Sequence, residues 1–227
     1  MPAIVFLAPR GIPVSSRTLN FVASATSSAT SITLPAGIQA GDIIVLWDKA
    51  ASLTATPTTI IPTGFTSVGN IFNSVASSLG YFTRSIMSYK IANGSEGGSS
   101  IAGMSADSFV HKIAMVFRPN FTPSAATPKS VGGEVTVNNP ASQTVSASFG
   151  TVPLIIFGFY GQTNNAISPR TFSPSEDGEI SNSAVPGSTC FAKYKIYNGA
   201  AAPANHSVDM DDEGDLNILQ SFYLEVA

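Results

Sequence analysis

Gly41-Asp42-Ile43-Ile44-Val45-Leu46-Trp47 opens on a turn pair and continues as five residues of unbroken apolar character. A strand with one face in water alternates apolar and polar side chains, so a short continuous run reads as a strand covered on both faces. Pro153-Leu154-Ile155-Ile156-Phe157-Gly158-Phe159-Tyr160 repeats the pattern later in the chain. Shorter strand-like runs surround each. Leu19–Ala23, Ser31–Leu34, Phe65–Val68, Tyr81–Ala92, Ser99–Met104 and Val110–Arg118 belong to the first run; Thr144–Ser148, Cys190–Tyr197, His206–Met210 and Leu216–Val226 belong to the second. Pro35-Ala36-Gly37, Pro62-Thr63-Gly64 and Asn93-Gly94 separate them with residues suited to tight turns. No amphipathic helical stripe competes, and the expectation is an all-β chain.

Tyr89-Lys90-Ile91-Ala92-Asn93-Gly94 matches Tyr194-Lys195-Ile196-Tyr197-Asn198-Gly199 at five of six positions, 105 residues on. The strand types on either side of the two copies follow the same order. The chain therefore reads as a β-sandwich, jelly-roll-like, built from two pseudo-repeated halves. Its expected parts are an apolar N-terminal arm over residues 1–14, a first half over 15–119, a linker over 120–133 and a second half over 134–227. One compact unit is expected, because each half alone would leave strand edges and apolar faces uncovered.

Charged residues make up only 11% of the 227, against 44% hydrophobic, so Ser, Thr, Asn and Gly must wet the surface. The net charge of −3 and the absence of a basic run argue against a nucleic-acid partner. No stretch approaches the length of a membrane span, and the apolar run near Met1 is shorter than a signal core. One cysteine, Cys190, leaves no internal disulfide to form and reads as a small buried filler.

Ser31-Ile32-Thr33-Leu34-Pro35, Gly41-Asp42-Ile43-Ile44-Val45-Leu46, Pro62-Thr63-Gly64-Phe65-Thr66, Tyr89-Lys90-Ile91 and Phe117-Arg118-Pro119 occur in that order. In this the chain resembles tailed-bacteriophage virion structural proteins of β-sandwich repeat type, which serve as capsid decoration (cement) or tail accessory proteins. The second half fits more loosely: Pro153 stands where Gly41-Asp42 would, and no Pro-x-Gly-aromatic turn occurs between Ser168 and Ala184. The resemblance implies a non-enzymatic virion protein assembled in the host cytoplasm, with other virion proteins, the major capsid or tail proteins, as partners. A homo-oligomer is expected with it, a trimer favoured. The alternative is a tail-fibre or baseplate-associated receptor- or carbohydrate-binding module.

Few residues invite chemistry. Asp209-Met210-Asp211-Asp212-Glu213-Gly214-Asp215 spaces carboxylates as a calcium loop does, but Gln220 stands where an EF-hand needs its bidentate acid. Only His111 and His206 could serve as imidazole bases, and both read as surface strand residues far from any nucleophile elbow. The acids mostly fall in turns, which argues against a glycosidase pair. No catalytic residue, metal or cofactor is expected. Ile4, Val5, Phe6 and Leu7 are the candidate assembly contact, since they would otherwise form an exposed apolar patch. Tyr160, Gln162, Asn164 and Asn165 are the candidate contact for a host surface glycan, a ring beside amide side chains. Trp47, by contrast, is expected in the core.

Overall fold

The computed structural model describes residues 17–69, 72–73, 80–104, 109–136, 141–146, 153–163, 170–185, 188–198, 205–210 and 216–227. Among these the chain is all strand and turn. The first half contains β1 (Leu19–Ser27), β2 (Ser31–Thr33), β3 (Ile43–Ser52), β4 (Thr66–Ser67), β5 (Phe72–Asn73), β6 (Phe82–Ile91), β7 (Ser100–Ala102) and β8 (Phe109–Pro119). The second contains β9 (Ala126–Thr136), β10 (Ala141–Val145), β11 (Leu154–Thr163), β12 (Arg170–Ser173), β13 (Gly178–Val185), β14 (Ser188–Tyr197), β15 (His206–Met210) and β16 (Leu216–Val226).

Two large antiparallel sheets dominate, one ordered β1-β8-β3-β6-β4 with β5 also on β6, the other β9-β16-β11-β14-β13. In each, the longest apolar strand lies in the middle between the last strand of its half and the Tyr-Lys-Ile strand. Smaller sheets, β2-β7 and β10-β15-β12, accompany them. The strand orders of the two halves thus correspond position for position along the large sheets.

The large sheets pack against each other, and their facing side chains form one core. Val45, Trp47, Met115 and Phe117 meet Ile155, Phe157, Phe159, Phe222 and Leu224. Trp47 lies 5.3 Å from Phe159 and Phe117 packs edge-on at 5.6 Å from Phe157, ring to ring. Opposite faces of the same strands turn to the smaller sheets. Ile44, Leu46, Ala114 and Val116 pack with Ile32 and Leu34, while Leu154, Ile156, Tyr160 and Leu219 pack with Val145, Phe172 and Val208. This layering is why β3 reads as a continuous apolar run: its alternate residues serve two cores, and every position from Ile43 to Ser52 is buried. Gly158 stands in β11 because a Cβ there would sit 2.7 Å from the Val208 side chain.

Four strands depart from the sequence expectation. β9 begins at Ala126, inside the stretch read as a linker over 120–133. Pro128 and the Gly132-Gly133 pair suggested a turn region, but β9 is an edge strand, where an unpaired position tolerates proline, and its ladder is irregular between Ser221 and Tyr223. β12 and β13 fill the interval from Arg170 to Val185 that carried no clean signal, and both again lie at edges. β10 covers 141–145 where 144–148 was expected, with 147 and 148 outside the described residues.

Edge strand β1 is closed by asparagines of the second half. Asn120 N–H bonds Thr18 C=O, so by the antiparallel alternation Leu19 points its own backbone groups away from β8. Asn198 takes both: its Oδ1 accepts from Leu19 N–H at 2.7 Å and its Nδ2 donates to Leu19 C=O at 2.8 Å. At the other end, Asn182 Nδ2 donates to Ser27 C=O at 2.7 Å.

Candidate functional site

Ile4, Val5, Phe6 and Leu7 lie outside the described residues, as do Asn164, Asn165 and the acidic run from Asp211 to Asp215. Gln162 is placed by its backbone in β11, paired with Thr189 and Asn217. Tyr160 is buried, with its hydroxyl donating to Thr171 C=O at 2.8 Å. Burial raises that phenol further above its ordinary range. A ring enclosed between sheets offers no face to a sugar, so the structure does not bring a glycan platform together at Tyr160.

Groups of polar side chains are buried instead, and their pairings were not foreseen. Asp48 and Lys112 are direct cross-strand partners on β3 and β8, with Nζ to Oδ1 at 2.8 Å. Met104 completes the arrangement: its N–H donates to Asp48 Oδ2 at 2.6 Å and its carbonyl accepts from Lys112 Nζ at 2.9 Å. β7 ends at Ala102, so the backbone at Met104 has left the ladder and would otherwise be buried without partners. Burial raises the Asp48 carboxyl and lowers the Lys112 ammonium, while each offsets part of that in the other. Gly103 admits the pair, since a Cβ there would overlap Asp48 and Lys112.

On the opposite faces of the same strands, Lys49 and His111 point toward the second half. His111 Nε2 lies 2.8 Å from Ser188 Oγ, and the Lys49 stem crosses Gly161, where a Cβ would meet its Cδ at 2.9 Å. Cys190 lies beside Gly161 on the paired strand and is fully buried. Desolvation lowers the Lys49 ammonium and pushes the Cys190 thiol up to about 12. Desolvation, reinforced by Lys49, takes His111 down to about 3. His111 and His206, expected at the surface, are both buried. His206 is brought down to about 4 by burial and sits 2.8 Å from the Tyr197 hydroxyl. A histidine and a serine at this distance are two members of a hydrolytic constellation, but an imidazole so weakly basic is a poor proton acceptor near neutral pH. What the pair does here is join β8 to β14 across the sheets. Farther along, Trp47 Nε1 donates to Ser85 Oγ at 2.6 Å and to Gln220 Oε1 at 2.8 Å, with Ser85 also bonded to Gln220.

An open feature lies in the first half. Residues 60–63 and Ser100–Ala102 border a groove of about 330 Å³, with Ile61 exposed at 41% on its rim. None of its lining side chains is charged. β7 pairs with β2 along one edge, and among the described residues no backbone bond joins its other edge to residues 60–63. In the second half the corresponding edge, that of β15, is occupied by β12 from Arg170 to Ser173. Sequence alone gave no signal for the groove, because it exists only by the difference between two similar arrangements.

No cluster of metal-ligating residues occurs among the described residues. No protein-family model, curated protein or solved structure matches this chain.

Proposed function

We propose that this protein is a structural component of a tailed-bacteriophage virion, a capsid decoration (cement) protein whose pseudo-repeated, jelly-roll-like halves present surfaces rather than a reactive centre. The observation that carries the reading is the way the short motifs of the first half meet in space. Asp42 of the Gly-Asp pair accepts from Arg118 of the Phe-Arg-Pro ending at 2.7 Å and from Gln39 N–H at 2.8 Å. Phe65 of the Pro-x-Gly-aromatic turn lies 6.0 Å from Lys90 of the Tyr-Lys-Ile strand, which pairs with Glu96 at 2.7 Å. Leu34 N–H and Pro35 C=O bond Ser99 and Gly98. Motifs scattered over about ninety residues thus form one end of a single sandwich, as pieces of a shared architecture should.

Such a protein would act by binding only the assembled shell and stabilising it through mass action. Apolar Ile4, Val5, Phe6 and Leu7 would supply the anchoring contact, and the major capsid protein would be the principal partner. Quantitative mass spectrometry of purified particles tests this. A decoration protein is expected at a fixed stoichiometric fraction of the major capsid protein. Absence from particles, or presence at only tail-component copy number, overturns it.

A further inference from the structure

We propose that Lys112 and Asp48 condense to an amide, a covalent crosslink between β8 and β3 that the folded chain forms by itself.

Val45 of β3 stands opposite Tyr89, and Phe157 of β11 stands opposite Tyr194, so the repeated Tyr-Lys-Ile strands align these two positions. Three residues on, Asp48 corresponds to Tyr160. Their partners across the next ladder are Lys112 in the first half and Leu219 in the second. The second half thus fills the place with a phenol ring and a leucine, both buried. Packing alone does not call for an acid and an amine here, and a buried ion pair gains little stability over apolar residues of similar size.

The surroundings are apolar. Leu46 with Ala114 and Ala50 with Val110 flank the pair on the same face of the sheet, and Ile86 stands opposite Asp48 on β6. All of these are buried, and the Lys112 and Asp48 side chains are exposed by only 0% and 2%. Desolvation of this kind favours the neutral acid and the neutral amine. Burial acts on both in that direction, raising the Asp48 carboxyl and lowering the Lys112 ammonium. These are the forms that condense, because an ammonium has no lone pair to attack with and a carboxylate no hydroxyl to lose.

Met104 holds the two groups in place. Lys112 Nζ lies 2.8 Å from Asp48 Oδ1 and 2.9 Å from the Met104 carbonyl, while Met104 N–H donates to Oδ2 at 2.6 Å. The two acceptors take up both hydrogens of the neutral amine and leave its lone pair for the carboxyl carbon. Nζ attacks Cγ, one N–H proton passes to Oδ1, which already carries the proton of the acid, and Oδ1 leaves as water. Oδ2 bears the developing negative charge, is stabilised by Met104 N–H, and becomes the amide oxygen. No other reactant enters: one amine and one acid give one amide and one water. Fixing the partners on adjacent central strands supplies the proximity that such a reaction lacks in solution. The bond would tie positions 64 apart in the chain and so constrain the unfolded state as well.

Intact-mass spectrometry of the full chain in denaturant tests the bond. The unaltered protein is expected to be lighter than its sequence by one water, about 18 Da. Lys112→Arg, whose guanidinium does not condense, should show its full mass. Proteolytic digestion of the unaltered protein should release a branched peptide that joins the segments around Asp48 and Lys112. An unaltered chain at its full sequence mass overturns the proposal, and so does a loss of water that the peptide map places at any other residue. The map is read on the unaltered chain, so it decides the matter even where Lys112→Arg fails to fold.

Discussion

Tyr89 to Gly94 and Tyr194 to Gly199 differ at one residue in six, yet the two copies do different work. In the first, Asn93 folds onto its own turn, accepting from Ser95 N–H at 2.9 Å, while Glu96 receives Gly94 N–H at 3.0 Å and the Lys90 ammonium at 2.7 Å. In the second, Lys195 pairs with Asp177 at 2.6 Å, and Asn198 holds both backbone groups of Leu19 in the other half. The order along the large sheets is kept and the partner of the asparagine is not. A ladder register is fixed by many repeated bonds, whereas a single asparagine is free to serve its own hairpin or a neighbour's edge.

The sharpest way to break the comparison is to ask whether the halves fold apart. Phe157 lies in the second half but packs on Phe117 of the first. Phe157→Ala should cost about 3–5 kcal/mol and lower the melting of the whole chain as one transition. Two separated calorimetric transitions, only one of them shifted, would show that the shared core is not what holds the halves. A comparable loss is expected from Asp48→Ala, which strands a buried Lys112: about 3–5 kcal/mol, and Asp48→Leu combined with Lys112→Met should still cost about 2–4 kcal/mol, because it leaves the buried Met104 N–H and carbonyl unpaired. Denaturant midpoints of the three variants decide it.

Acid should strain the seam between the halves next. His111 is held at about 3 in the folded chain, below its ordinary 6.5, so between those values the unfolded state binds the extra proton. Stability is full above pH 6.5 and falls as pH drops toward 3. From His111 alone, roughly 2 kcal/mol should go between pH 6.5 and 5. Urea titrations at the two pH values read it, and His111→Gln should flatten the difference. An unchanged difference would mean that other groups, His206 first among them, carry the acid sensitivity.

Smallest is the contrast between the two asparagines. Asn198→Ala leaves the Leu19 backbone groups without partners and should cost about 1–2 kcal/mol, while Asn93→Ala on its exposed turn should stay within about 0.5 kcal/mol. Equal costs would show that Asn198 is no clamp.

What could be read from the sequence followed from apolar periodicity. Ile43–Trp47 and Leu154–Tyr160 announced strands buried on two faces, and Trp47 and Cys190 were expected inside, where they are. β12 and β13 were not legible, because Arg170-Thr171-Phe172-Ser173 is short and polar and an edge strand needs little apolar surface. Asp48 and Lys49 follow the apolar run that ends at Trp47 and carried no signal of their own. They are buried because β3 continues past Trp47 between two cores, one closed by Met104 and the other by Ser188 and Gly161. His111 was misread for the same reason: nothing local says that a second sheet lies above it. Pairing across halves is a property of distant segments, and single residues carry no mark of it.

Leu19 gives the clamp a mechanical meaning. It begins the first strand, and whatever tugs on the chain before it pulls at this point. Because Asn198 grips both its amide and its carbonyl, tension entering there is shared with the far sheet from the outset. A load that would otherwise peel β1 away bond by bond must shear two joined bodies at once.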